Sequence, residues 1–275
     1  MAKIYFSKFN MSEISEKIQD NSNFLNKTLK ELFTKIDSKQ WVDSEDDDNI
    51  YYRLYDVEKN FKLSTVSGRL LKVERNKEID TLDGDEVETF SMKNAFSSIA
   101  FSFHIYEEVI AFVPKIDFKK EEFHCYLGKI LTASYPEIKD VNFKLMPDKD
   151  SLQKKLLEID KTTSATFILV PPNGIADDAI KDIVDILSDT DTTEAELTLK
   201  GERSKPIKKD SKTFKELVQY IMNGWGYLKI TGYSDEKRKN INIDTSKELL
   251  KTEPISETNK NSHKYIENKV FGRDD

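Results

Sequence analysis

Glycine, cysteine and long apolar runs are scarce in this sequence. Its 275 residues include 9 Gly and 1 Cys. A single cysteine excludes an internal disulfide and any metal site built on several thiolates. So few glycines disfavour folds that bring backbone close against a phosphate, and no Gly-Lys-Ser/Thr run is present to form a P-loop. No stretch approaches the roughly 18 apolar residues of a membrane helix. The opening MAKIYFSKFN is not a basic segment followed by an apolar one, so no secretory leader is expected. An intracellular, cytoplasmic protein follows from these absences. What the chain does have is 16 Phe and 11 Tyr, enough large side chains to build a core although 34% of its residues are charged.

The net charge is −7 at pH 7. A protein that coats DNA with its whole surface would be basic, but binding responds to the local field, and the charges here are segregated. Acidic residues crowd 43–48, 78–88 and 177–196. Basic residues crowd 69–77, 200–215 and 237–239. Each run taken alone reads as a solvated face or loop.

Apolar spacing predicts an α+β fold of two domains, each a mixed or antiparallel sheet with packed helices. The first domain, 1–138, opens with a strand at Lys3 to Phe9. A helix follows at Asn23 to Ile36, where Leu25, Leu29, Leu32, Phe33 and Ile36 recur on one face. Tyr51 to Val57 and Phe61 to Val73 read as paired strands turning at Glu58-Lys59-Asn60, and Gly84 centres another turn. A hairpin spans Ser97 to Val113, and a helix follows from Phe118 to Leu131. The second domain, 139–253, alternates strand and helix: Val141 to Leu145, Lys149 to Ile159, Ala165 to Val170, Ile175 to Leu187, Ala195 to Lys200 and Asp210 to Met222. Asn223-Gly224 stops the last helix, and a hairpin closes the domain at Gly226 to Ile243. Residues 254–275 are polar and read as a loosely ordered tail.

Catalytic motifs fail on inspection. His124 and Cys125 are adjacent in a helix, so they point about 100° apart and form no dyad. Cys125 reads as a small core residue. His104 sits in a strand with no Cys or carboxylate at ligand spacing, His263 lies in the polar tail, and three scattered histidines do not suggest a zinc site. The run Asp43 to Asp48 lacks EF-hand spacing. Glu137 and Lys139 have the Glu-x-Lys spacing of some nucleases, which a chain rich in both residues produces by chance. Gly224-Trp225-Gly226 follows a helix and opens a strand, the reverse of a dinucleotide fingerprint. No catalytic residue, metal ligand or cofactor is assigned.

The basic segments are more informative. In KGERSKPIKKDSKTFK, Lys200, Arg203, Lys205, Lys208, Lys209, Lys212 and Lys215 join a strand end to a helix start. Asp210 or Ser211 can cap that helix, leaving backbone N–H groups outward beside the lysines, a placement that suits a phosphate. Taken alone, the run reads first as a flexible lysine-rich loop. Arg69, Lys72 and Arg75 lie on or just after a strand, and Lys237, Arg238 and Lys239 form a hairpin tip. Basic patches on turns and edges fit sugar–phosphate contact without base reading.

The paired strands YYRLYDVEKNFKLSTVSGRLLKVERN, the hairpin SSIAFSFHIYEEVIAFVPKI, the segments DKTTSATFILVPPN, DDAIKDIVDIL and EAELTLKG, and the hairpin NGWGYLKITGYSDEKRKNINIDT follow one another in an order that resembles the RexA-like phage-exclusion proteins of prophages. The resemblance implies a self-associating, non-catalytic protein that binds double-stranded DNA with little sequence preference. It also implies a role in phage exclusion or abortive infection. A homodimer and a membrane-protein effector encoded nearby are the partners it suggests. Two alternatives stand beside it: a metal-dependent nuclease of a defence system, and an acidic module that senses or inhibits a phage or host protein.

Overall fold

A computed structural model describes residues 1–11, 22–83, 86–173 and 192–272. Among the described residues, five α-helices and twelve strands, arranged in antiparallel sheets of eight and four strands, make the α+β fold that the apolar spacing predicts. The strands are β1 (Ala2–Met11), β2 (Trp41–Asp43), β3 (Ile50–Asn60), β4 (Thr65–Asp83), β5 (Glu86–His104), β6 (Val109–Phe112), β7 (Val141–Leu145), β8 (Lys161–Leu169), β9 (Ala195–Lys200), β10 (Gly226–Ser234), β11 (Lys239–Asp244) and β12 (Thr252–Ile255). The helices are α1 (Ser22–Lys35), α2 (Lys120–Ser134), α3 (Lys149–Leu157), α4 (Lys212–Met222) and α5 (His263–Val270). The expected helix at Ile175 to Leu187 lies outside the described residues.

The chain divides into two compact units. The first comprises 1–4, 29–137 and 254–275, and its sheet runs β12-β1-β6-β5-β4-β3-β2. Strands β4 and β5 pair over their whole length, from Thr65 opposite His104 to Asp83 opposite Glu86. The β3–β4 turn sits at Phe61 to Ser64, later than the expected Glu58-Lys59-Asn60. Two local features move it. A bulge between Tyr55 and Glu58, with Asp56 at φ 55°, lets β3 continue to Asn60. The Asn60 side chain then accepts hydrogen bonds from the amides of Lys62 and Leu63, an Asx turn that reverses the chain.

Apolar residues of α1 and α2 cover this sheet. Leu29, Leu32, Phe33 and Ile36 are buried as their spacing predicts, as are Phe123, Leu127, Ile130 and Leu131. The rings of Phe112 and Phe123 stack at 4.5 Å. Each such buried side chain contributes roughly 1.5–3 kcal/mol. Cys125 departs from expectation: it is exposed, because the buried stripe of α2 passes through Phe123, Tyr126 and Leu127 and leaves position 125 on the solvent side.

The segment expected to be a loose tail is ordered through residue 272. It supplies β12 and α5 to the first unit, and Ile255, His263 and Ile266 are buried. Ser262 caps α5 by accepting from the Tyr265 amide. Thr65 donates to the buried carboxylate of Glu267, and His263 bonds Ser67 and Asp56. Polar contacts, which hydropathy does not register, fix this helix.

The second unit comprises 5–28 and 138–253. Its antiparallel sheet runs β11-β10-β8-β9. Ala165, Phe167, Leu169, Leu228, Ile230, Ile241 and Ile243 alternate onto one face, where they pack with Leu152 of α3 and with Phe214, Leu217 and Ile221 of α4. Asp148 caps α3 and Ser211 caps α4. Gly224, at φ 92°, ends α4 in the left-handed conformation that Asn-Gly favours. Within the same unit Ser7 to Met11 of β1 pair with β7. Asn173, completely buried, accepts from the Met11 amide and donates to the Phe9 carbonyl.

Candidate nucleic-acid interface

The face of the second unit's sheet opposite its helices carries the outward residues of four strands. On β10 these are Tyr227, Lys229, Thr231 and Tyr233, because Leu228, Ile230 and Gly232 point inward. Register sets Lys200 opposite Ser164, Asn240 opposite Tyr233, and Lys239 opposite Ser234. One end of the sheet therefore holds the end of β9, the start of β11 and the hairpin tip at 235–238.

The lysine-rich loop folds onto that same end. Gly201 donates to the Thr163 carbonyl and Ile207 to the Thr162 carbonyl, while Glu202 and Lys205 close a small turn. Arg203 bridges loop and hairpin: its guanidinium lies 4.5 Å above the Tyr233 ring and donates to Asn240 Oδ1 at 3.0 Å. Arg238, at φ 49°, forms the hairpin tip. Lys200, Arg203, Lys205, Lys208, Arg238 and Lys239 are exposed, and among the described residues none of them has a carboxylate partner.

The other cations assigned in this unit have local partners. Lys209 is half-buried and donates to the Leu156 carbonyl in the last turn of α3 at 2.6 Å and to the carbonyl of Ile159 just beyond the helix. Burial lowers its pKa, with Asp160 and Asp210 opposing. Lys237 pairs with Glu158 at 2.8 Å, Lys212 with Glu216 at 3.7 Å and Lys215 with Asp210 at 4.0 Å. The opposite end of the sheet is acidic. There the Tyr227 hydroxyl is pushed up by burial and by Glu194, Asp244 and Glu196.

In the first unit, Arg69, Lys72 and Arg75 do not form one patch. Strand alternation puts Lys72 on the face covered by α2, where it pairs with Glu122 at 2.7 Å. Glu122 also accepts from the Tyr52 hydroxyl at 2.5 Å, and burial together with this carboxylate raises the tyrosine pKa. Arg69 approaches Asp56 at 3.8 Å. Arg75 pairs with Asp43 at 3.1 Å, donates to the Asp48 carbonyl and lies 4.7 Å above the Tyr51 ring.

Arg75 also borders a cavity of about 470 Å³ that sequence reading did not find. Lys39, Trp41, Tyr51 and Arg53 form much of its wall, and Asn76 and Asn94 complete the lining. The available signal was the alternation Tyr51, Arg53, Tyr55, which places aromatic and basic side chains on one face of β3.

The histidines divide by role. His104 Nδ1 accepts from the Glu107 amide at 3.0 Å and so closes a hairpin turn. His124 is pushed down to about 3 by burial, with Lys120 adding repulsion. His263 Nε2 lies 3.1 Å from Asp56, and ligand atoms of Asp56, Glu58 and His263 fall within 4.8 Å of one another. Arg69 already faces Asp56, and Lys264 faces Glu58 at 2.7 Å. The two carboxylates are thus matched by cations of the chain, which leaves little negative charge to attract a divalent ion. Glu137, of the Glu-x-Lys triplet, accepts from the Tyr135 hydroxyl.

A family model described as "Domain of unknown function (DUF4747)" matches residues 21–271. The chain belongs to the DUF4747 family. The match includes residues of both units of this DUF4747 protein, and the family description carries no activity. No curated protein matches the chain.

Proposed function

We propose that this DUF4747 protein is a non-catalytic, largely sequence-nonspecific DNA-binding protein that grips the sugar–phosphate backbone with the basic end of its second unit's sheet. The observation that carries the reading is the local charge balance. Loop 201–209 and the β10–β11 hairpin bring Lys200, Arg203, Lys205, Lys208, Arg238 and Lys239 to one sheet end without carboxylate partners among the described residues. Unmatched cations on turns attract phosphates by field and counterion release, and they carry no base-reading geometry. The acidic excess of the chain does not oppose this, because binding follows the local potential. The resemblance to RexA-like proteins supports duplex DNA as the target and phage exclusion as the setting.

Fluorescence anisotropy with a duplex, titrated against salt, tests the proposal. Contacts from those cations give a slope of log affinity on log salt near −5, and a loss of roughly a thousandfold between about 50 and 200 mM salt. Lys205→Glu with Lys208→Glu should weaken all duplex sequences alike and flatten the slope by about 2. Incubation with Mg²⁺ or Mn²⁺ should leave the DNA intact, and the same double variant should lose protection in a phage-plating assay. Absence of binding at low salt, or a slope indifferent to the two replacements, overturns the reading.

A further inference from the structure

We infer that the cavity beside β2, β3 and β4 in the first unit is a binding site for a free nucleoside phosphate. This inference is independent of the DNA-binding reading, since every residue of the cavity belongs to the first unit.

The argument starts from strand register. Trp41 pairs with Arg53 and Asp43 with Tyr51, so the short strand β2 sets an indole beside the outward residues of β3. Trp41 remains 54% exposed, and its ring meets Tyr51 edge-on at 6.2 Å. An indole open to water at a cavity wall offers a planar ring a large stacking surface. Charge accompanies the aromatic surface. Lys39 is exposed, and Arg53 donates only a long hydrogen bond, 3.4 Å, to the Ser38 carbonyl. Neither side-chain cation has a carboxylate partner among the described residues. Arg75 is held over Tyr51 by Asp43 and by the Asp48 carbonyl, which fixes its guanidinium in place. Among the described residues no carboxylate lines the cavity, and two asparagine amides at its wall can both donate and accept.

This chemistry selects a ligand with a flat heteroaromatic ring and more than one negative charge. The ring stacks on Trp41, its polar edge meets Asn76 or Asn94, and the phosphates reach Lys39 and Arg53. A nucleoside di- or triphosphate has these features, and the volume lies within the ordinary range for small-molecule sites, about 300–1,000 Å³. Bare polyphosphate lacks the ring, and a nucleoside lacks the charge.

Equilibrium dialysis of the full chain with ATP, GTP, adenosine and tripolyphosphate tests the inference. Saturable binding of a nucleoside triphosphate is expected, with adenosine and tripolyphosphate each at least about tenfold weaker. Trp41→Ala should weaken the nucleotide by about tenfold, Trp41→Phe should recover part of that loss, and Lys39→Gln with Arg53→Gln should weaken it further at low salt. These side chains are at the surface, and thermal melting checks that each variant is folded. Nucleotide binding that is absent, that tripolyphosphate equals, or that ignores Trp41→Ala overturns the inference. So does binding of a short single-stranded oligonucleotide where no mononucleotide binds. Duplex affinity should be unchanged in the Trp41 variants, so failure here is distinguishable from failure of the DNA-binding reading.

Discussion

Lys208 and Lys209 are neighbours in sequence, identical in chemistry and opposite in expected consequence. Lys208 is exposed, with no carboxylate partner among the described residues. Lys209 turns inward and donates to the Leu156 carbonyl in the last turn of α3 and to the Ile159 carbonyl two residues beyond it. The last carbonyls of a helix have no partner within the helix, and a cation there also meets the negative end of its dipole. Hydrogen bonds from a charged donor are worth about 1.5–3 kcal/mol each. Lys209→Met keeps most of the aliphatic stem and removes both bonds, so the loss should be about 3 kcal/mol, allowing for water reaching one carbonyl. Lys208→Met should stay within about 0.5 kcal/mol of the parent. Urea unfolding followed by Trp225, which packs on the core of the second unit, reads this difference. The chain has 2 Trp, so the comparison is made with Trp41 replaced by Phe. If the proposed function holds, DNA affinity in the absence of urea shows the reverse order: Lys208→Met should lower the salt slope by about 0.9, whereas folded Lys209→Met should keep it. A Lys209→Met protein as stable as its parent, or one that loses the salt slope while Lys208→Met does not, refutes the assignment of these two roles.

Two further outcomes follow from the geometry. Gly226, at φ 129°, has no room for a side chain, because an added Cβ would lie 1.9 Å from the Ile168 carbonyl oxygen, so Gly226→Ala should lower the urea midpoint of the second unit by an amount equivalent to several kcal/mol; a change under about 1 kcal/mol contradicts this. His124 is neutral in the fold and held down at about 3, against an ordinary value of 6.5. Its contribution to stability is complete above pH 6.5 and is lost as pH falls through that value towards 3, by a few kcal/mol at most, so His124→Gln should flatten that part of the stability profile; parallel profiles contradict it.

The parts of the fold legible in sequence were those where burial follows a period. The stripes of α1, α2 and α4 are legible directly, because one face of each meets a core. Apolar spacing predicts only part of the long β4–β5 ribbon, and the acidic run 78–88 reads as a solvated face or loop. Charged residues occur at adjacent positions there, so the alternation that marks a half-buried strand is missing, while backbone pairing continues to Asp83 and Glu86. Helix α5 escaped for a related reason. Its place is fixed by His263 and Glu267 bonding Asp56, Ser67 and Thr65, contacts that join residues about 200 positions apart and leave no local pattern.

The candidate site was legible as composition and illegible as partnership. Sequence shows that lysine and arginine crowd 200–215 and 237–239, but it does not show which of them a carboxylate or carbonyl already occupies. Glu158 takes Lys237, α3 takes Lys209, and Glu122 takes Lys72 across a sheet face that alternation alone makes inaccessible to Arg69 and Arg75. That sorting leaves Lys200, Arg203, Lys205, Lys208, Arg238 and Lys239 without a carboxylate partner among the described residues, in a chain of net charge −7. Acidic residues elsewhere add to the net count but act weakly beyond a Debye length, about 8 Å at physiological salt. On the proposed function, what a phosphate meets is the small set of cations at one sheet end that have no carboxylate partner among the described residues. Removing a matched cation such as Lys237 should therefore leave Glu158 with Lys155 alone and make that end more negative, while neutralising Glu158 should free Lys237 and strengthen DNA binding at low salt.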